Sequence, residues 1–198
     1  MTDAVSWWWV RHGPTHANTM VGWRDLPADL SDRAALAWLS GALPADAALV
    51  SSDLIRAVAT ADAVEAGRTR LPHQSALREF DFGDWDGLHW QAVSDRDPEL
   101  SRAFWEDPGD HVAPNGESWN QLAARVAGAV DRINRAGHRH VVAVAHFGVI
   151  LTQIARAGSM TPYIALGHKI DTLSVTRLDW DGREWAIRFI NQTPTQTD

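Results

Sequence analysis

Two apolar runs in the sequence end in a histidine. "VSWWWV" leads into Arg11, His12 and Gly13, and "HVVAVA" leads into His146, Phe147 and Gly148. A third run, "AALVSSD", is followed closely by Arg56, and Glu79 stands immediately before "FDFG". Guanidinium forks match phosphate oxygens and keep their charge at any working pH. A neutral imidazole supplies a nitrogen nucleophile or a hydrogen-bond donor. A carboxyl group beside them can hold a proton for a leaving group. Two arginines, two histidines and one carboxylate therefore have the composition of a phosphate site with a nucleophile and an acid. Taken singly, each residue has an ordinary reading. Strand-end histidines are often just solvated, Arg56 could pair with Asp53 or Asp62, and Glu79 could be a surface carboxylate. Asn18 could be a turn residue. Convergence on one edge is what would make the set distinctive.

Convergence requires the apolar runs to be neighbouring strands. "VSWWWV" is short, aromatic and β-branched, as suits a strand covered on both faces. "LSDRAALAWLSGAL" predicts a helix with Ser31 as N-cap and Gly41 as its stop. "AALVSSD" predicts a second strand ending at Ser51. Asp53 is placed to cap the helix "LIRAVATADAVEA", which stops at Gly67. "LREFDFGDWDG" predicts a strand end followed by a loop. "HWQAVSD" and "PELSRAFWED" predict short helices, the second with Pro98 in its first turn. "PGDHVAPNGE" reads as a loop. Ser118 and Gln121 have the spacing of a capping box and open a helix to about Ala136. "HVVAVAH" predicts a third buried strand and "GVILTQIARAG" a helix. "TLSVTRLDWDGREWAIRFIN" predicts two strands around Asp181-Gly182. This alternation predicts an α/β three-layer sandwich: a mostly parallel central sheet with helices on both faces. Such sheets bind ligands at the carboxyl ends of their strands. No linker or repeat divides the chain, so 1–198 reads as one domain with a frayed polar tail over 192–198.

Composition narrows the function classes. The net charge of -7 argues against nucleic-acid binding, which leans on basic surface. It leaves room for a local positive pocket. Without cysteine there is no disulfide, thiolate metal site or cysteine nucleophile. No apolar run approaches the length that spans a bilayer, and the N-terminal run lacks a basic region before it. The expectation is a soluble, cytoplasmic protein with neither a membrane nor a nucleic-acid partner.

The same stretches resemble the histidine phosphatase superfamily, in the branch related to cofactor-dependent phosphoglycerate mutase. "RHGPTHAN" resembles its signature block and "GWRDLPADLS" the segment after it. "SSDLIRAVATA", "LREFDFGDWDG", "NGES" and "VVAVAHFGVI" resemble later blocks, in the right order and over nearly the whole chain. The resemblance implies a phosphoglycerate mutase-like fold and a metal-independent phosphatase acting on a small phosphorylated metabolite. It implies that His12 is the nucleophile and forms a phosphohistidine. Arg11 and Arg56 would bind the phosphoryl oxygens, His146 would donate to a non-bridging oxygen, and Asn18 would add a neutral donor. Glu79 would protonate the leaving alkoxide and then activate water, which calls for a raised pKa. Thr15, Gly22 and Trp23 complete the implied substrate-binding set. No metal or other cofactor is implied, because the arginines and His146 supply positive charge.

Two positions depart from the family pattern. Pro14 stands where an acidic residue is more usual, and it removes a backbone N–H and fixes φ. Phe147 stands where glycine is usual, and is expected to narrow the pocket mouth. The chain also has eleven tryptophans. Trp7, Trp8 and Trp9 read as core. Trp23 and Trp85 lie in motif loops. Trp105 and Trp119 flank residues 95–115, expected to form a lid that sets specificity. His138 and His140 read as a metal pair or a solvated turn. Family mutases are longer, with extra segments over the site, which favours phosphatase over phosphoglycerate mutase-type transfer. A non-catalytic phosphate-binding module would typically lose the nucleophile or the acid, and both are present. An α-ribazole phosphate phosphatase fits length and motifs, though no residue selects that substrate. The C-terminal hairpin offers an edge for a homodimer.

Overall fold

The computed structural model describes residues 4–194. β1 (Val5–Arg11) is followed by α1 (Arg33–Ala42), β2 (Ala48–Ser51), α2 (Ile55–Ala63) and β3 (Thr69–Arg70). Two 3₁₀ turns, Ser75–Leu77 and Gly83–Trp85, precede α3 (Trp90–Arg96), α4 (Pro98–Glu106) and α5 (Trp119–Asn134). Then come β4 (His140–Ala145), α6 (Phe147–Gly158), α7 (Pro162–Leu166), β5 (Val175–Trp180) and β6 (Trp185–Gln192).

The six strands form one sheet in the order β3-β2-β4-β1-β5-β6. β1, β2, β3 and β4 run parallel, while β5 pairs antiparallel with both β1 and β6. β5 and β6 are the predicted hairpin, and Gly182 in its turn adopts φ 97°. β1 is covered on both faces, as its unbroken apolar run required. Val5, Trp7 and Trp9 face a core layer built with Leu122 and Val126 of α5 and Ile150 and Ile154 of α6. Val10 faces the opposite layer with Leu36 and Leu39 of α1 and Ala57 and Ala61 of α2, and Trp8 packs at its border. The result is the expected three-layer sandwich. Trp7 and Trp9, two residues apart on one face, stack with centroids 5.1 Å apart and planes at 14°. The Trp7 indole N–H donates to Asn134 Oδ1 of α5 at 2.8 Å.

Several boundaries differ from those the sequence predicts. Asp32, not Ser31, caps α1, accepting from Ala35 N at 2.9 Å. Ser31 N instead donates to Asp29 Oδ1. Gly41 lies inside α1, which runs on to Ala42. Asp53 does not cap α2, because its carboxylate is taken by Arg78 at 2.7 and 2.8 Å. Asp25, distant in sequence, accepts from Ile55 N at 2.7 Å in its place. α2 ends at Ala63, short of Gly67. The segment ahead of Glu79 is a 3₁₀ turn and coil rather than a strand end. α7 was not anticipated; Thr161 caps it and Pro162 opens it. The predicted frayed tail does not hold at Gln192, which pairs with Val175. The rest of that expectation, from 195 on, lies outside the described residues.

Trp7 is fully buried and holds a buried hydrogen-bond partner, whereas Trp8 is only half-buried. Trp7→Ala should therefore cost about 3–5 kcal/mol of unfolding free energy, and Trp8→Ala clearly less, as read from urea denaturation midpoints. Equal losses would contradict the burial pattern of β1.

Candidate active site

β1, β2 and β4 are parallel, so their carboxyl ends reach the same edge. Arg11 is in register with Ala145, which places His12 and His146 side by side just beyond the sheet. His12 N donates to Ala145 O at 3.0 Å, and the two imidazole centroids are 5.0 Å apart.

The ring of His12 is fixed at both nitrogens. Nδ1 lies 2.7 Å from Gly13 O, and a carbonyl can only accept, so Nδ1 carries the proton. Nε2 is then a free lone pair, and the Arg56 Nε–H points at it from 3.2 Å. Burial and the nearby Arg56 charge push the His12 pKa down to about 3, with Arg11 adding to them and the Gly13 carbonyl opposing. His12 is therefore a neutral base. The turn that releases it packs closely on the segment around Leu30. A Cβ on Gly13 would stand 2.6 Å from Leu30 Cδ2, while Gly13 N donates to Thr60 Oγ1 at 3.0 Å.

Arg56 is 1% exposed, in the first turn of α2. Its Nη1 donates to Arg24 O at 3.0 Å and its Nη2 to Gly22 O at 2.7 Å. Arg11 Nη1 donates to Ile170 O at 2.5 Å. Arg11 Nε is buried without a partner, and the Phe147 ring covers its guanidinium at 5.4 Å. Phe147 thus shields the arginine. His146 is fully buried, and neither ring nitrogen has a hydrogen-bond partner. Burial first, then the charges around it, hold its pKa well below the usual imidazole range. Unpartnered buried polar atoms are rare. Two of them on one histidine, with a third on Arg11, lie together at this edge of the sheet and leave polar atoms there free to bind a polar group.

Glu79 is 6% exposed. Its Oε1 accepts from Phe80 N at 2.9 Å and from Gly148 N at 3.0 Å. Burial raises its pKa, outweighing the two amides and the Arg56 and Arg11 charges that pull the other way. The expected raised pKa is met. A Cβ on Gly148 would stand 2.5 Å from Glu79 Oε1, so glycine lets the α6 backbone approach the carboxyl. Gly22 serves similarly, since a Cβ there would lie 2.4 Å from Phe80 O. The Trp23 indole N–H donates to Glu79 O at 2.8 Å.

The structure thus gathers Arg11, His12, Arg56, Glu79 and His146, with Gly22 and Trp23 bracing them. The remaining two residues lie on the loop beyond Pro14, where Thr15 is half-buried and Asn18 exposed. The loop leaves β1 through Pro14, whose carbonyl accepts from Asp29 N at 2.7 Å. His16 follows with φ 55°, and the chain turns away. Beside the segment expected to form a lid, Trp119 is buried in the core, and within it Trp105 packs on Phe104 and Phe82. His140 opens β4 at the end opposite His146, and among the described residues no group of three His, Asp or Glu could hold a metal. Sequence reasoning missed the carbonyls that hold the arginines, and Arg125. Its one sequence signal was an arginine beside the buried positions Leu122 and Val126 of α5.

Keeping these imidazoles neutral affects stability. The ordinary His12 value is 6.5 and the native one about 3. Between those values the unfolded chain binds a proton that the native state refuses. Stability present above about pH 6.5 is thus lost on acidification, by up to about 1.4 kcal/mol per pH unit per group. Glu79, with a raised folded pKa, acts in the opposite sense: its contribution is lost as pH rises. Urea denaturation of ligand-free His12→Gln at pH 7 and pH 5 should show a smaller acid loss than the parent chain. An identical loss would mean native His12 binds its proton normally.

The family model for the histidine phosphatase superfamily (branch 1) matches residues 7–193. A bifunctional protein of Mycobacterium tuberculosis is 35% identical over 153 residues, 74% of this chain. The chain spans only 41% of the length of that protein and of two other mycobacterial relatives. The adenosylcobalamin/alpha-ribazole phosphatase of Escherichia coli is 30% identical over 194 residues, covering 93% of this chain and 94% of that one. The structure of a mycobacterial glucosyl-3-phosphoglycerate phosphatase matches with a TM-score of 0.83 at 26% identity, covering 96% of this chain and 100% of that one. Its sequence blocks, its sheet and these matches agree: the chain belongs to the histidine phosphatase superfamily, branch 1.

Proposed function

We propose that the protein is a metal-independent phosphatase that hydrolyses a small phosphomonoester through a phosphohistidine on His12. The observation that carries this reading is the fixed imidazole. Gly13 O holds the Nδ1 proton, and Nε2 is left as a lone pair facing Arg56. The similarity to two phosphatases over most of the chain supports hydrolysis.

In this scheme the phosphoryl group enters between His12 and Arg56, and the Arg56 Nε–H turns from Nε2 to a phosphoryl oxygen. Arg11 Nε and the N–H of His146 bind the other oxygens. These donors lie in a water-poor site, where they stabilise developing charge more than they would in solvent. Nε2 attacks phosphorus in line, the P–O ester bond breaks, and Glu79 gives its proton to the departing oxygen. Glu79, now a carboxylate, then removes a proton from water. That water attacks the phosphohistidine, the P–N bond breaks, and phosphate leaves. Burial of Glu79 suits the acid step, because it raises the carboxyl pKa and so favours the proton-bearing form.

His12→Ala should lower turnover of an aryl phosphate by more than about a thousandfold while the far-UV circular dichroism is unchanged. Hydrolysis at the parental rate would sink the mechanism. Glu79→Gln should slow an alkyl phosphate by about 10²–10⁴-fold and an aryl phosphate much less, because a good leaving group needs little protonation. Equal losses on the two esters would remove Glu79 from the role of acid. A screen across sugar phosphates, nucleotides, phosphoglycerates and α-ribazole phosphate identifies the substrate. A bisphosphoglycerate-dependent mutase assay alongside separates hydrolysis from transfer to a second acceptor.

A further inference from the structure

Glu79 stands on a segment without a ladder. Residues 78–82 lie between two 3₁₀ turns, in neither helix nor strand. Their backbone groups must find partners elsewhere, and a catalytic group must be held to within about 0.5 Å. Both requirements are met from α5. Arg125 Nη1 donates to Ala76 O at 2.9 Å and Arg78 O at 2.7 Å. Its Nη2 donates to Glu79 O at 2.7 Å, beside the bond from Trp23. One guanidinium thus takes three carbonyls of the stretch that ends at Glu79.

The fork is itself aimed. Glu117 accepts from Arg125 Nη2 at 2.6 Å on Oε1 and from Nε at 2.9 Å on Oε2. Glu117 Oε1 also accepts from Asp81 N at 2.9 Å, and Glu117 N donates to Asp81 O at 2.9 Å. The pair therefore grips the chain on both sides of Glu79. Glu117 sits immediately before the capping box of Ser118 and Gln121, which holds the start of α5 rigid. Gly116 allows the close approach: a Cβ there would lie 2.2 Å from Asp81 O. The Glu117 and Arg125 side chains are only 12% and 20% exposed. A buried ion pair contributes little net stability, since desolvation offsets the attraction. Stability alone is a poor reason for this one.

We propose that Arg125, oriented by Glu117, is the positioning residue that holds Glu79 against the leaving-group oxygen. This rests on the reading of Glu79 as general acid. Arg125 makes no hydrogen bond to Arg11, His12, Arg56 or His146, which stand at β1, α2 and the start of α6; its charge alone reaches His146, and Arg125→Lys keeps that charge. Loss of Arg125 should therefore weaken proton delivery while sparing phosphate binding. A merely structural role would lower all substrates alike.

The test measures kcat and KM on an alkyl and an aryl phosphate, with inorganic phosphate as competitive inhibitor, for Arg125→Gln, Arg125→Lys and Glu117→Gln. Arg125→Gln should lose roughly 10–100-fold in kcat on the alkyl ester and less than about threefold on the aryl ester. Phosphate inhibition should stay within about twofold. Arg125→Lys, which keeps the charge but not the fork, should fall between it and the parent. Glu117→Gln should shift the alkyl-to-aryl ratio in the same direction. If Arg125→Gln does not fold, the other two variants decide. Equal losses on both esters, or weakened phosphate inhibition with an unchanged ratio, overturn the proposal. Glu79→Gln runs as the control. A changed ratio there and not in the Arg125 and Glu117 variants removes the positioning role and leaves the acid. An unchanged ratio in Glu79→Gln removes the acid, and the positioning role with it.

Discussion

The parallel pairing of β1 with β4 is the constraint on which the site depends. It puts Arg11 opposite Ala145, so that one residue further on two histidines lie together at the sheet's edge. A shift of the register by one residue would turn Trp7 and Trp9 away from α5 and α6, and would part the two imidazoles. The apolar load of β1 thus sets the alignment of the polar groups beyond its end. Trp7, bonded to Asn134, ties that same strand to α5, the helix that carries Arg125.

Burial of arginine is the second theme, and one solution is used repeatedly. Arg11 donates to the carbonyl of Ile170, and Arg56 to those of Gly22 and Arg24. Arg68, just ahead of β3, donates to four carbonyls: those of Ser40, Leu43, Pro44 and Val64. Arg125 follows the same pattern in the Glu79 segment. A carbonyl satisfies a guanidinium N–H without neutralising its charge. Loops that lack a ladder gain donors, and Arg11 and Arg56 keep positive charge for an anion. Burial still opposes that charge, and it lowers the pKa of both arginines from the ordinary value. The same exclusion of water leaves His12 and His146 neutral and raises Glu79.

Legibility followed the range of each interaction. β1, β2, β4 and the C-terminal hairpin, the Ser118–Gln121 capping box, and the Arg11, His12, Arg56, Glu79 and His146 set were readable, because each carries its signal within a few residues; the two-residue β3, which exists only by pairing with β2, was not. The family resemblance ordered them. Caps that depend on distant residues were not readable. Asp53 looks like the cap of α2, but Arg78 occupies its carboxylate, and Asp25 takes over. Thr15 and Asn18 belong to the matched block by position, and they lie on a loop past Pro14 that has no regular structure of its own. Phe147 carried no sign in the sequence of its contact with Arg11, whose guanidinium lies against its ring.

The sequence by itself determined which groups are present and which edge they reach. Apolar periodicity chooses strands and helices, and the βαβ order places the strand ends together. Tertiary structure alone decided their chemical state. The neutral His12 tautomer needs the Gly13 carbonyl and the Arg56 guanidinium, which is 44 residues away in the chain. The raised pKa of Glu79 needs its burial beside Gly148 of α6. Desolvation and hydrogen bonding depend on distances across the fold, and no local spacing of residue types encodes them.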